Sequence, residues 1–459
     1  MGVFKSYDIR GVFGSEITVD LAHRIGISLG RHFRGFPEHK GKDSLHLIVG
    51  RDMRPSAAEC APAVIEGLRQ NGIRVTDIGM VSTPCLYFAV AHLGADGGVM
   101  CTASHNPAQY IGFKVCRELA LPIGYDAGLK DVEATLGEPP VGSSKGTLST
   151  YDIDGDYIAF LLGMAKNVQP LKVVVDASNG MAGKYLERLF AGLPCRFEGM
   201  FLEPDGTFPN HEADPSKLKN LEALSRRVRE SGAFVGFCLD GDGDRLGIVD
   251  EKGEAVRGDM IAALLSRDTL RAHPGQPVCY DLRSSKVLRD VITEGGGKPI
   301  RSRVGHAHIK KQMREIGSPF GSELSGHFYF QLEDRQRFYA DSGLIALVRM
   351  LNILSEGDEL VSQRIAPLMK YAHTGELNFK VEDQKGALAA IRAEFTDGAQ
   401  DELDGVSVQY PTWWFNVRPS NTEPLLRLTL EGDDVATKEA GLQRVLKVLH
   451  RFGQEAAGH

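Results

Sequence analysis

The sequence predicts an α/β protein in which three similar mixed α/β-sheet domains precede a C-terminal α+β domain. Three observations carry this expectation. A strand–polar loop–helix–strand unit recurs three times, the grammar of an open sheet built from βαβ units. From about residue 370 onward the pattern changes to short strands of period two that outnumber the helices. The length of 459 residues is too great for one hydrophobic core and allows several domains.

The first unit opens with the apolar strand LHLIVGRD (Leu45–Asp52), continues through the helical SAAECAPAVIEGLRQNG and closes with the strand IRVTDIG. The second runs LKVVVDASNG, MAGKYLERLFAG, CRFEGMFL, and the third runs PVCYDLRSSKVLRDVITEGG followed by KPIRSRV. Ligands of such sheets sit at the carboxyl ends of the strands, where the polar loops lie. In the tail, GELNFKV reads as a strand, QKGALAAIRAEF as a helix, GVSVQY and LLRLTLEG as strands, and Val435 to Phe452 as an amphipathic helix. Gly/Asp/Ser-rich turns near 150, 254 and 368 mark boundaries and give domains 1–150, 151–253, 254–368 and 369–459.

Composition narrows the class. Fifty-three Lys and Arg against 60 Asp and Glu leave a formal charge of −7, which disfavours nucleic acid as a partner but leaves room for local basic clusters facing small anions. Seven cysteines without a CxxC spacing argue against a disulfide framework or a zinc site and for a cytoplasmic setting. No apolar run reaches membrane-spanning length and no signal peptide is evident, so no membrane partner is expected. The opening MGVFKS fits a myristoylation pattern that is short and common by chance.

The most informative stretch is FVGFCLDGDGDRLGIVDEKG, with Asp240, Asp242 and Asp244 separated by Gly241 and Gly243. In an extended strand, neighbouring carboxylates would stand ~7 Å apart and the outer pair ~13 Å, too far for one ion. The glycines let the loop curl so that the three converge on a hard divalent cation, Mg²⁺ in preference to Ca²⁺ held in an EF-hand loop. Arg245 stands where that loop needs glycine, and the flanks read as strands. An acidic hairpin without metal is the bland alternative. A metal site beside an arginine suits phosphoryl transfer, in which spread negative charge must be neutralised. SNGMAGKY lacks the first glycine and the hydroxyl of a nucleotide-binding loop and reads as a turn between strand and helix.

Two further loops resemble recognition elements. FNVRPSNTEP gathers Arg418, Ser420, Asn421 and Thr422 between two prolines, a set of donors suited to a dianionic phosphate or, more plainly, an inter-strand turn. Glu423 is expected to face away from that cup or to pair with Arg427. GSELSGHF places Glu323, Ser325 and His327 at alternating positions, able to share one face and to meet sugar hydroxyls, or to form a polar strand end. His306 in RVGHAHIKK starts a helix. Ser104 in CTASHNPAQYIGFKV lacks the GxSxG elbow of a hydrolase, and His105, next to it in the chain, is expected to point elsewhere. With a metal site and a phosphate cup in the same chain, Ser104 reads as a phosphate carrier.

TASHNP, DGDGDR, SELSGH and RPSNTEP, in that order, with YDIRG (Tyr7–Gly11) before them, resemble the α-D-phosphohexomutases over nearly the full length, most closely the bacterial phosphomannomutase/phosphoglucomutase branch. The resemblance implies three α/β domains and a TBP-like α+β domain around a central cleft. It implies that Ser104 is the phosphoserine with His105 beside it, and that Asp240, Asp242 and Asp244 hold Mg²⁺ together with the seryl phosphate. Arg10 and Arg245 would neighbour the transferring group, and Tyr7 the entrance. Glu323 and Ser325 would grip sugar hydroxyls, and Arg418, Ser420, Asn421 and Thr422 the substrate's own phosphate. Arg283, His306, His327 and Lys114 would add contacts.

The implied activity is reversible transfer of phosphate between the 1- and 6-positions of glucose and mannose phosphates, through a bisphosphorylated sugar, with glucose 1,6-bisphosphate or its mannose equivalent as primer. Lys114, its pKa lowered by burial and nearby cations, is expected to be the base ahead of His327. Departures from the family pattern are Ile111 for Asn, Ser322 and Leu324 for Gly and Met, and Arg283 for Lys. They touch none of the carrier, metal or phosphate groups and bear on substrate choice; the alternatives are phosphoglucosamine mutase, or a phosphosugar phosphatase using the same serine. The expected enzyme is a monomer or homodimer acting on hexose phosphates.

Overall fold

The structure is a computed structural model that describes residues 2–42, 44–142, 144–420 and 425–456. Contacts divide the chain into two units, Met1–Val256 with Ser325–Ser362, and Arg257–Leu324 with Gln363–His459.

In the first unit, two of the three expected βαβ units are present. His46–Arg51 and Arg74–Met80 pair in parallel around the helix Pro55–Gln70. Lys172–Asp176 and Arg196–Met200 do so around Gly183–Ala191. Each parallel core continues into a hairpin. Gly97–Cys101 lies parallel to His46–Arg51 and then turns back as Tyr110–Arg117, which pairs in turn with Ile9–Val12. Val235–Leu239 lies parallel to Lys172–Asp176 and turns back as Leu246–Val249. Both hairpin tips therefore emerge at the carboxyl end of a parallel strand, where open α/β sheets bind ligands.

Local chemistry explains the elements. Thr18, Ser82 and Ser342 cap helices by accepting backbone N–H bonds, and Pro55 and Pro84 sit in first turns where a missing N–H costs nothing. Ile25, Leu29, Phe33, Val64 and Leu68 pack over Leu47, Val49, Val99 and Phe113. Each such side chain, fully buried, contributes about 1.5–3 kcal/mol. The hairpin Phe328–Glu333 with Arg337–Asp341 and the buried helix Gly343–Leu354 complete this unit.

The second unit holds the third βαβ unit, with Pro277–Asp281 and Lys298–Ser302 parallel around Lys286–Glu294, and Phe320–Ser322 parallel on the other side. Its other sheet is antiparallel throughout, in the order Ala399–Asp401, Val406–Gln409, Trp413–Pro419, Leu425–Gly432, Ala372–Val381 and Gly453–Glu455. Helices Gln384–Glu394 and Val435–Leu449 cover it, so that Ile391, Val445 and Leu449 meet Phe379, Phe415 and Leu428. The expected class, three α/β sheets and an α+β sheet, holds.

Candidate active site

Ser104 sits at the tip joining Gly97–Cys101 to Tyr110–Arg117, 1 % exposed, with φ at +51°. A non-glycine residue in the left-handed region is uncommon and costs free energy that its surroundings must offset. Its N–H donates to Thr102 Oγ1 at 2.9 Å and its Oγ donates to Asp240 Oδ2 at 3.2 Å. The expected divergence of Ser104 and His105 is corrected, because Oγ and His105 Nδ1 are 3.3 Å apart. The left-handed turn, unlike an extended chain, brings neighbouring side chains to one side. His105 is still no base for the serine. Its Nδ1 accepts from Arg245 Nη2 at 2.8 Å, and burial together with Arg245 drives its pKa well below the usual histidine value.

The three aspartates occupy the tip between Val235–Leu239 and Leu246–Val249. The curl expected of the glycines is present, with Gly243 at φ +79° and the backbone N–H groups of Asp244 and Arg245 closing onto Asp240 Oδ1 at 2.9 and 3.1 Å. Gly241 lies against the serine loop so tightly that a Cβ there would stand 2.6 Å from Ser104 O. Carboxylate oxygens of Asp240, Asp242 and Asp244 fall within 4.8 Å of one another. Asp242 Oδ1 is buried without a hydrogen-bond partner among the described residues. A cluster of buried carboxylates containing such an atom fits a hard divalent cation. Burial and the neighbouring Asp244 and Asp242 push Asp240 well above the ordinary carboxylate range. Burial opposes ionisation of Asp244 too, but Lys114 and His327 hold its pKa well below that range.

Lys114, on Tyr110–Arg117, donates to Asp242 Oδ2 at 2.7 Å and to Asp244 Oδ2 at 2.6 Å. The lowered pKa expected for it is corrected here. Burial alone would lower it, but Asp242, Asp244 and Asp341 outweigh burial and raise it above the ordinary lysine value. Two of the three aspartates thus hold the Lys114 ammonium. The Arg245 guanidinium reaches several partners, with Nε 3.3 Å from His327 Nε2 and 3.8 Å from Asp240 Oδ2, Nη1 3.3 Å from Asp214 Oδ1, and Nη2 on His105. His327 Nε2 also lies 3.3 Å from Asp244 Oδ1, so the neutral ring accepts from the arginine and the protonated ring pairs with the carboxylate. Its Nδ1 is 3.1 Å from Ser325 Oγ. Arg10 Nη1 donates to Asn106 Oδ1 at 2.5 Å in the serine loop, and its Nη2 pairs with Asp8. Tyr7 is half-buried, just before Ile9–Val12.

The second unit carries the other expected residues. Arg418 lies within the strand Trp413–Pro419 rather than in a turn, and its Nη2 donates to Glu376 Oε2 at 2.7 Å. Arg427 Nη1 and Arg283 Nη1 donate to the same carboxylate at 2.8 and 3.3 Å. Burial opposes ionisation of Glu376, yet Arg283, Arg418 and Arg427 hold its pKa well below the usual range. Arg283 also pairs with Asp281, and Glu323 Oε1 accepts from Gly305 N at 2.7 Å. His306 begins the helix His306–Ile316 as expected. Residues 323–326 form a turn, not the alternating strand expected for Glu323, Ser325 and His327. Ser420 N donates to Leu425 O at 2.8 Å. Asn421, Thr422 and Glu423 lie outside the described residues.

Sequence reasoning missed Thr83, whose Oγ1 donates to Asp242 Oδ2 at 2.5 Å, and Asp214, which anchors Arg245. It also missed Glu376 and Arg54. A buried carboxylate in HEADPSK and the arginine of GRDMRPS were the only local signals.

Known proteins match the whole chain. Residues 1–138, 156–253 and 257–371 match phosphoglucomutase/phosphomannomutase alpha/beta/alpha domains I, II and III, and residues 376–448 match the C-terminal domain of the same family. A phosphomannomutase of Methanocaldococcus jannaschii is 37% identical over 98% of this chain and 98% of its own. A phosphomannomutase/phosphoglucomutase of Pseudomonas syringae pv. tomato is 35% identical over 98% of this chain and 94% of its own. The crystal structure of a phosphoglucomutase/phosphomannomutase family protein from Burkholderia thailandensis superimposes with a TM-score of 0.88 at 33% identity, covering 99% of this chain and 98% of that one.

Proposed function

The chain belongs to the phosphoglucomutase/phosphomannomutase family, and from that premise we propose how its own residues carry out the reaction. The enzyme interconverts the 1- and 6-phosphates of hexoses, mannose and glucose, by intramolecular phosphoryl transfer. The observation that supports the assignment of roles is Ser104 Oγ beside Asp240 in the three-aspartate cluster, with Lys114 and Arg245 around it.

Ser104, phosphorylated by glucose 1,6-bisphosphate or its mannose equivalent, gives its phosphoryl group to O1 or O6 of the sugar. One P–O bond breaks at Ser104 Oγ, another forms at the sugar, and the sugar hydroxyl loses its proton. The bisphosphate reverses and returns its other phosphoryl group to Ser104. Asp240, Asp242 and Asp244 would hold Mg²⁺, which when bound would supply positive charge to the phosphoryl oxygens. Lys114, Arg245 and Arg10 add charge fixed by the fold, which costs no reorganisation when the phosphoryl group moves. His327, whose Nε2 lies 3.3 Å from Asp244 Oδ1, takes the proton of the sugar hydroxyl, the ammonium of Lys114 being held by two aspartates. His105, neutral, steadies Arg245.

Glu323 and Ser325 meet sugar hydroxyls, and Arg418 with Ser420, Asn421 and Thr422 takes the phosphate that is not reacting. Tyr7, Arg283, His306 and His327 add substrate contacts. If the hydroxyls read are O3 and O4, glucose and mannose, which differ only at C2, react alike. Domain boundaries fall at 150, 253 and 368. The protein works in the cytoplasm as a monomer or homodimer on hexose phosphates, with neither nucleic acid nor membrane as partner. Seven cysteines without disulfide bonds and a charge of −7 support this setting. Among the described residues, no helix is long and apolar enough to cross a membrane.

Phosphorus NMR of turnover with Mg²⁺ and glucose 1,6-bisphosphate, offering glucose, mannose and glucosamine 1-phosphates in parallel, tests this reading. Comparable conversion of the first two to 6-phosphates is expected. Conversion of glucosamine 1-phosphate alone would move the enzyme to another branch, and release of inorganic phosphate without isomerisation would make it a phosphatase.

A further inference from the structure

Arg54 is the largest fully buried side chain of the first unit and takes no part in the chemistry above. Its guanidinium donates to four backbone carbonyls of one loop. Nη2 meets Ser104 O at 2.8 Å and Asn106 O at 2.6 Å, and Nη1 meets Pro107 O at 2.8 Å and Tyr110 O at 3.1 Å. Asp52 fixes the guanidinium from behind, accepting from Arg54 Nε at 3.2 Å and from Arg54 N at 2.9 Å. Phe208 covers it, 5.0 Å from ring centre to guanidinium carbon.

We propose that Arg54 is the positioning residue of the carrier loop: its four-carbonyl clasp holds Ser104 in the left-handed conformation from which Oγ reaches Asp240. Carbonyls that face the interior need donors there, and the segment from Ser104 to the start of the strand Tyr110–Arg117 has no ladder to supply them. Four of them turn inward here onto one planar cation, whose donors are fixed in a fork that a lysine ammonium cannot reproduce. Because a trans peptide points its N–H opposite to its C=O, the clasp also turns the His105 N–H away from Arg54. The cation's hold on Ser104 O offsets the cost of the positive φ.

The inference rests on Ser104 as the phosphate carrier and predicts an effect on transfer, not on sugar-phosphate binding. Arg54→Lys keeps the charge but loses the fork. Its kcat should fall by about 100-fold, with KM for glucose 1-phosphate within about threefold of the parent, the pattern of a group misplaced by an ångström or less. Free ethylguanidine should restore part of the kcat of Arg54→Ala, and ethylamine should not. Hydrogen exchange of the peptide spanning 103–109 should quicken in Arg54→Lys, while the strands Gly97–Cys101 and Tyr110–Arg117 stay protected. Asp52→Asn, which leaves the guanidinium in place but loosens it, should show a smaller loss of the same kind, about tenfold, and serves if Arg54→Lys does not fold. Parental kcat in either folded variant, or a loss confined to KM, would overturn the clasp. Mass spectrometry after incubation with glucose 1,6-bisphosphate separates the two readings. A parent that carries no phosphoryl group on Ser104 after the incubation refutes the carrier role itself, whereas a loaded parent and a slowly loading variant bear on Arg54 alone.

Discussion

Ser104 Oγ donates to Asp240 Oδ2 across 3.2 Å, joining the tip of one hairpin to the tip of another. Removing the hydroxyl in Ser104→Ala should lower turnover by roughly 10³-fold or more, the order expected when a nucleophile is lost. Coupled-assay kcat and the absence of label on the protein after incubation with labelled bisphosphate check this. Near-parental kcat would remove Ser104 from the chemistry.

Asp242 offers the cluster a buried oxygen with no partner among the described residues. Chelation should abolish turnover and Mg²⁺ should restore it. Asp242→Asn should raise the Mg²⁺ concentration for half-maximal activity by at least the ~10–100-fold that loss of an outer-shell partner costs. Titration of the chelated variant with Mg²⁺ reads this directly, and an unchanged midpoint would exclude Asp242 as a ligand.

Gly241 faces Ser104 O with no space for a side chain. Gly241→Ala should fold, with stability lowered by about 1–3 kcal/mol for the forced displacement. Its kcat should fall by about 100-fold as the two tips separate. Thermal melts and steady-state kinetics on the same sample distinguish the two effects.

Glu376 balances Arg283, Arg418 and Arg427 and is 19 % exposed. Glu376→Gln removes the carboxylate that Arg283, Arg418 and Arg427 share and should cost about 3 kcal/mol at pH 7. The arginines hold the carboxyl's folded-state pKa below its unfolded value. Its contribution is thus complete above the unfolded glutamate pKa, about 4.3, and is lost as the pH falls below that toward the folded pKa. The stability gap between parent and variant should therefore narrow as urea melts are moved from pH 7 to pH 3. Inorganic phosphate should raise the Tm of Glu376→Gln more than that of the parent, because Glu376 no longer competes with it for Arg418.

What was legible in the sequence follows chain proximity. Asp240, Asp242 and Asp244 lie within five residues, so their spacing and the intervening glycines announced a convergent turn. The βαβ units were visible because each is a local succession of apolar periods. The sign of the Lys114 shift was not, because the carboxylates that decide it stand 128 and 130 residues away along the chain. Thr83 and Asp242 are 159 residues apart, and no local pattern links them. The nearness of Ser104 and His105 depends on a single φ of a non-glycine residue, which composition and period do not encode. Arg418 was expected in a turn because prolines flank its loop, but the antiparallel register with Leu425–Gly432 extends the strand through Pro419.

The first unit is interrupted in the chain, since Ser325–Ser362 returns to it after Arg257–Leu324 has gone to the other. The returning segment supports the aspartate hairpin directly. Gly326 O accepts from Leu246 N at 3.0 Å, Gly343 N donates to Gly243 O at 3.0 Å, and His327 meets Arg245. A nascent chain that has just left the ribosome as far as Val256 already owns Ser104 and all three aspartates, yet lacks the backbone that braces them. Vectorial synthesis therefore delivers the reactive side chains early and their support late, so that a product truncated there carries the serine and aspartate motifs without their working arrangement.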